Sequence, residues 1–309
     1  MHIENDHSEL EQEILRTLTY FDVFSYPLTK EQLFTFLSRA SASDIQFKDS
    51  LHRLIEQNLV HSSQGYYFLS TRSDEIVASR RENEERASRM LKHARWVSFF
   101  LKQMPFVRAI FITGSLSKNV AEQTSDIDFM IIAELNRLWI CKIILTGFRR
   151  LFLFNSHKYF CINLMVTEKA IYFPNHNYFT ALEIATSKVV WNTAFFSKYQ
   201  KENSWIYEYL PNWRPLREGV SPLSNTRSPF QRIFESLLGI IRLDAIDTNV
   251  MLTARNFWKK KYKDFNEDKF NSVIQCKPDI ASVWHLDHQA NILDGFRHRL
   301  TVYGLKETI

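Results

Sequence analysis

The stretch VRAIFITGSLSKNVAEQTSDIDFMIIA, Val107 to Ala133, holds two apolar runs with a Gly-Ser pair and two acids between them. The first run, Val107, Ala109, Ile110, Phe111 and Ile112, reads as a buried strand that ends at Gly114-Ser115. The second, Phe129 to Ile132, is entered through Ser125-Asp126-Ile127-Asp128. Strand residues two apart share a face, so Asp126 and Asp128 project together while Ile127 and Phe129 face the other way.

Two carboxylates this close repel unless a cation lies between them. Paired hard oxygen donors beside a Gly-Ser turn point to Mg²⁺, or Mn²⁺, carrying the phosphates of a nucleotide. Gly114 lets the backbone approach a ligand where a Cβ would collide. Ser115 adds a hydroxyl and a free amide at the start of an expected short helix, Leu116 to Ala121.

An apolar strand, Gly-Ser, a spacer of about ten residues and then Asp-apolar-Asp-apolar resembles the signature of the polymerase β type nucleotidyltransferase superfamily, especially its small bacterial members and the aminoglycoside nucleotidyltransferases. The resemblance covers Phe106 to Val166. It implies an α+β fold with a nucleotidyltransferase core, a mixed sheet with flanking helices. It also implies Mg²⁺-dependent transfer of a nucleoside monophosphate from a nucleoside triphosphate to an acceptor hydroxyl, with release of pyrophosphate. Asp126 and Asp128 would be the metal ligands and catalytic acids, and Gly114, Ser115 and Ser125 would bind the nucleotide. In this superfamily a strand in the position of Tyr159 to Val166 often carries a third acid. Here the inward residue is expected to be Asn163, whose amide cannot take a proton from the attacking hydroxyl. Glu183, on the following helix, is the expected catalytic base in its place. The same departure admits a second reading, a catalytically degenerate relative that binds nucleotide or DNA as a regulator.

Working outward, residues 10–70 read as a winged helix-turn-helix. Leu10, Ile14, Leu15, Leu18 and Phe21 recur at helical spacing, Thr29 to Gln32 matches a capping box, and a third helix spans Asp49 to Asn58. Alternation about Ser63-Gln64-Gly65 then signals a hairpin. Lys48, His52, Arg53, Gln57 and Asn58 would reach a DNA groove, but the basic character of that helix is thin, which favours docking to a protein over DNA. Asp74 to Gln103 reads as a long helix whose charged face is laced by Arg81/Glu85, Glu82/Arg86 and Glu85/Arg89. The expected division is 1–72 for the winged helix, 73–172 for the core and 173–309 for a mainly helical domain. Within the last, Tyr178 to Tyr209 and Gln231 to Lys263 read as helices, and Pro211 to Pro229 as a long irregular connection. Lys259, Lys260, Lys261 and Lys263 suit a helix C-terminus. His285 and His288 could share a metal, but no third ligand motif stands near them.

With 309 residues, 45% hydrophobic and 24% charged, the composition is that of a folded globular chain. A net charge of +5 tolerates anionic ligands without demanding them. Cys141, Cys161 and Cys276 form no Cys-x-x-Cys pair and read as thiols of a reducing compartment. The polar start MHIENDHSEL carries no secretory signal, and Leu138 to Phe154 is interrupted by Lys142, Arg149 and Arg150, so a cytoplasmic protein without a membrane span is expected.

Overall fold

Capping boxes start the first three helices of the computed structural model, which describes residues 7–214, 220–239, 243–283 and 286–305. Ser8 and Glu11 close α1 (Glu9–Asp22), Thr29 and Gln32 close α2 (Lys30–Thr35), and Ser43 and Gln46 close α3 (Asp44–Glu56). In each, the cap hydroxyl accepts the third amide while the third side chain reaches back, so two otherwise orphaned donors are satisfied. Between and after these helices lie β1 (Leu28–Thr29), β2 (Val60–Ser63) and β3 (Tyr66–Leu69), an antiparallel sheet in the order β1-β3-β2. Gln64 and Gly65 both take positive φ at the β2–β3 turn, as a tight hairpin requires. On α3 the cations already face acids: Lys48 pairs with Asp44, Arg53 with Glu11 at 2.6 Å, and His52 lies 3.4 Å from Glu56.

The chain then runs through α4 (Glu75–Leu101), β4 (Val107–Ile112), α5 (Gly114–Ser117), β5 (Asp128–Ala133), α6 (Leu138–Phe152) and β6 (Cys161–Thr167). It continues with α7 (Tyr178–Thr186), β7 (Lys188–Trp191), α8 (Thr193–Glu202), α9 (Ile206–Tyr209), α10 (Pro229–Leu238) and α11 (Leu243–Lys261). It closes with α12 (Glu267–Val273), β8 (Ile274–Lys277), β9 (Ile280–Val283) and α13 (Leu286–Val302). Six strands form one mixed sheet in the order β7-β4-β5-β6-β9-β8, with β5 and β6 parallel and the other neighbours antiparallel. The fold is α+β. Among the described residues, no helix is long and apolar enough to cross a membrane.

Strand alternation divides the core between the two faces of this sheet. Ala109, Phe111, Met130 and Ile132 pack with α7 and with the first three helices, whereas Ile110, Ile112, Phe129 and Ile131 pack with α4 and α6. The N-terminal unit therefore shares a core with the sheet and with α13. Tyr178 donates to the Phe36 carbonyl at 2.7 Å, and Asp22 is held by both Arg72 and Arg299.

Three features differ from the sequence reading. Tyr178 to Tyr209 is not one helical run: Val189, Val190 and Trp191 belong to β7, which extends the sheet at β4, because a β-branched pair gains more from an edge ladder than from a helix. With β8 and β9, residues 173–309 thus supply three strands to the same sheet, and a boundary at 172 cuts across it. On α4, the ion pair formed among the described residues is Arg80–Glu84 rather than any of the three expected pairs. Arg86 turns inward instead, to the Ala121 carbonyl at 2.8 Å. Residues 215–219 of the irregular connection, Ile240, Ile241 and His285 lie outside the described residues, as does the side chain of His288. Further along the connection the Leu223 amide donates to the Val190 carbonyl of β7 at 2.7 Å.

Helix α10 is fixed by its polar side. Gln231 donates to the carbonyls of Met104 and Val107, and Glu235 accepts from the Phe106 amide at 2.7 Å and from Arg108 and Arg227, while Phe230, Ile233, Phe234 and Leu237 are exposed. Burial alone would raise the Glu235 carboxyl, but the hydrogen bonds from Arg108 and Phe106 and the charges of Arg108 and Arg227 hold it below its ordinary value of 4.5. A depressed acid contributes stability that is complete above its unfolded value and lost as pH falls through the folded one. Glu235→Ala is therefore expected to cost about 2–4 kcal/mol in urea unfolding at pH 7 and progressively less below pH 4.5.

Candidate metal and nucleotide site

Strand β4 delivers the chain into a turn that only glycine fills well. The Thr113 amide donates to the Asp128 carbonyl at 3.0 Å, and Gly114 follows at φ +67°. A Cβ placed on Gly114 would stand 2.4 Å from Oδ2 of Asp128. Gly114 is thus required twice, by its left-handed backbone and by the approach of a carboxylate. The helix that follows is a single turn, α5, and begins at Gly114 itself rather than at Leu116. Ser115 is exposed, and Ser117 Oγ donates back to the Gly114 carbonyl at 2.7 Å.

The two acids arrive from the other side. Glu122 and Ser125 close a turn, with the Ser125 hydroxyl accepting the Glu122 amide at 2.8 Å. The side chain proposed for nucleotide contact therefore shapes the approach to Asp126. Ile127 is fully buried in the core, and its amide and carbonyl are tied to Lys158 and Cys161, each at 3.0 Å. With Ile127 turned inward, Asp126 and Asp128 emerge together, and their carboxylate oxygens lie with the Cys161 sulfur inside 4.8 Å of one another.

Asn163 is not the residue beside the acids. The parallel β5–β6 ladder pairs Asp128 with Cys161 and Phe129 with Ile162, then jumps to Met130 with Leu164. Asn163 is the extra residue of this bulge and is exposed. Counted back from Leu164 by twos the residue opposite Asp128 would be Ile162; the bulge puts Cys161 there instead, in the place given to the third acid.

Glu183 does reach this neighbourhood from α7, but its Oε1 holds Lys118 Nζ at 2.6 Å, and the same ammonium donates to the Gly114 carbonyl at 3.2 Å. Sequence reasoning missed Lys118 and Cys161. The first had a signal, since a lysine four residues after Gly114 on a helical turn lies over it. The electrostatics follow from this set. Burial, the Asp126 charge and the Glu183 charge push the Asp128 carboxyl up to about 7, against the opposing pull of the Cys161 hydrogen bond and the Lys118 charge. Burial and the neighbouring Asp128 and Asp126 likewise push the Cys161 thiol up.

Two half-buried carboxylates, one of them reluctant to ionise, converge with a thiol beside a turn pressed against Asp128. Such a set is suited to a divalent cation, which would relieve the repulsion that raises Asp128. Comparison with protein-family models, curated proteins and solved structures found no match for the chain.

Proposed function

We propose that this chain is a divalent-cation-dependent nucleotidyltransferase, moving a nucleoside monophosphate from a nucleoside triphosphate to an acceptor hydroxyl with release of pyrophosphate. The observation that carries the reading is the contact between Gly114 and Asp128: a left-handed glycine whose missing Cβ leaves room for a carboxylate, with Asp126 alongside. It joins the Gly-Ser turn and the acid pair, which the resemblance to polymerase β type nucleotidyltransferases treats as one site. Asp126 and Asp128 would hold the cation, Mg²⁺ by that resemblance, and the carboxylate pair fits it while the thiol does not. When bound, the cation supplies charge stabilisation for the transferring phosphoryl group.

The chain's own residues divide the remaining work. Gly114 and Ser115 offer backbone and hydroxyl to the β and γ phosphates. Lys118 donates to the Gly114 carbonyl of this turn, pairs with Glu183 and offsets the charge of Asp128. Lys118→Met is expected to weaken triphosphate binding by at least about tenfold while leaving divalent-cation binding without nucleotide undiminished, since removing an ammonium makes the site more negative. Isothermal titration of each ligand separately checks this.

A second reading keeps the nucleotide but not the reaction. The ion pair that occupies Glu183, and the absence of an acid at both Cys161 and Asn163, favour a nucleotide-binding regulator that uses its N-terminal unit for docking. Incubation with each labelled nucleoside triphosphate, Mg²⁺ or Mn²⁺ and candidate acceptors, including the protein itself, separates the two. Labelled product from the wild type and none from Asp126→Ala supports the transferase. Cation-dependent binding without product supports the regulator.

A further inference from the structure

The third donor in the site is sulfur, and its position is fixed by backbone. Cys161 opens β6 directly opposite Asp128, and its amide donates to the carbonyl of Ile127, the residue between the two acids. Its sulfur lies with the carboxylate oxygens of Asp126 and Asp128 inside 4.8 Å, whereas Cys141 and Cys276 are buried in the core on the α4 and α6 side of the sheet. Glu183, the other carboxylate near Asp128, is engaged by Lys118.

Hard cations such as Mg²⁺ select oxygen, and thiolate is a ligand for Zn²⁺ and its borderline and soft neighbours. A Mg²⁺ ion here would use the two carboxylates and leave the sulfur idle. We propose, resting on the reading of Asp126 and Asp128 as a cation site, that the site is a two-oxygen, one-sulfur centre selecting a borderline divalent cation of the Zn²⁺ class over Mg²⁺, with Cys161 as its third protein ligand. Three protein donors with one position left for water or a substrate oxygen is the donor count of catalytic zinc sites. On binding, the S–H bond breaks, its electron pair stays on sulfur to form the metal–thiolate bond, and the proton leaves to solvent, so nothing is oxidised or reduced.

Titration with Co²⁺ and Cd²⁺ as spectroscopic probes, and with Zn²⁺ and Mg²⁺ for affinity, tests this on wild type, Cys161→Ser and Asp126→Asn. The expected result is a thiolate-to-metal charge-transfer band with one ion per chain, absent from Cys161→Ser. That variant should lose at least about a hundredfold in Zn²⁺ affinity and keep its Mg²⁺ affinity. Asp126→Asn should weaken the band and Mg²⁺ binding together. A full band in Cys161→Ser, or ion binding with no band, would overturn thiolate ligation and leave the carboxylate site and the transfer reaction standing, whereas a full band in Asp126→Asn would remove Asp126 from the centre and overturn the two-oxygen, one-sulfur donor set. No binding of any of these ions by the wild type would overturn both.

Discussion

Asp128→Asn is expected to abolish nucleotide transfer while making the cation-free protein more stable at pH 8. Burial first, and the Asp126 charge second, raise the Asp128 carboxyl from its ordinary 3.8 to about 7. A carboxyl that holds its proton more tightly when folded favours the fold at low pH. That advantage is lost as pH rises from 3.8 towards 7, and above 7 the folded chain carries the whole cost of the charge. An amide removes this cost, a gain of about 2–4 kcal/mol at pH 8 and none near pH 3. A bound divalent cation should reverse the order, because it stabilises the charged carboxylate and has nothing comparable to hold in the variant. Transfer should fall by about a thousandfold or more, since an amide is a poor substitute for an anionic ligand. Thermal unfolding from pH 4 to 8, with and without divalent cation, checks the stability part. A variant less stable than wild type at pH 8 without cation would contradict it.

The second large effect is expected from Gly114→Ala. The left-handed backbone alone costs an alanine about 1–2 kcal/mol. The added methyl would also stand 2.4 Å from Oδ2 and 3.3 Å from Cγ of Asp128, so the carboxylate must leave its position. Cation-dependent nucleotide binding should drop by at least about a hundredfold although the chain still folds. Gly65→Ala is the matched control: Gly65 has φ +85° with nothing within 4 Å of a Cβ, so it carries the backbone strain without the collision. Similar stability losses in the two variants, with binding lost only at Gly114, would show that the position of Asp128 matters rather than strain.

What could be read from the residues was what rests on local rules. The period of a strand put Asp126 and Asp128 on one side, and the core burial of Ile127 and Phe129 is the other half of that reading. The capping box at Thr29 and Gln32 was equally local. The misses involve partners distant in sequence. Cys161 rather than Asn163 stands beside Asp128, and which residue of β6 meets Asp128 is set by the bulged pairing of two strands rather than by either one. Val189 and Val190 look compatible with the helix before them until β4 offers them a ladder. The helix read from Gln231 onward is anchored by Gln231 and Glu235, which find carbonyls, an amide and arginines far along the chain that no local pattern shows. Glu183 was placed near the acids by chain order, but its pairing with Lys118 depends on α7 meeting α5.

The central claim is that the Gly114 turn and the two acids form one cation-dependent nucleotide site. Its most direct test is calorimetric titration of a non-hydrolysable nucleoside triphosphate into wild type and into the Asp126→Asn/Asp128→Asn double variant, each with a divalent cation and with chelator. Binding by the wild type only when the cation is present, and none by the double variant under either condition, is the predicted result. Equal binding by the two proteins, or binding by the wild type that ignores the cation, would contradict it.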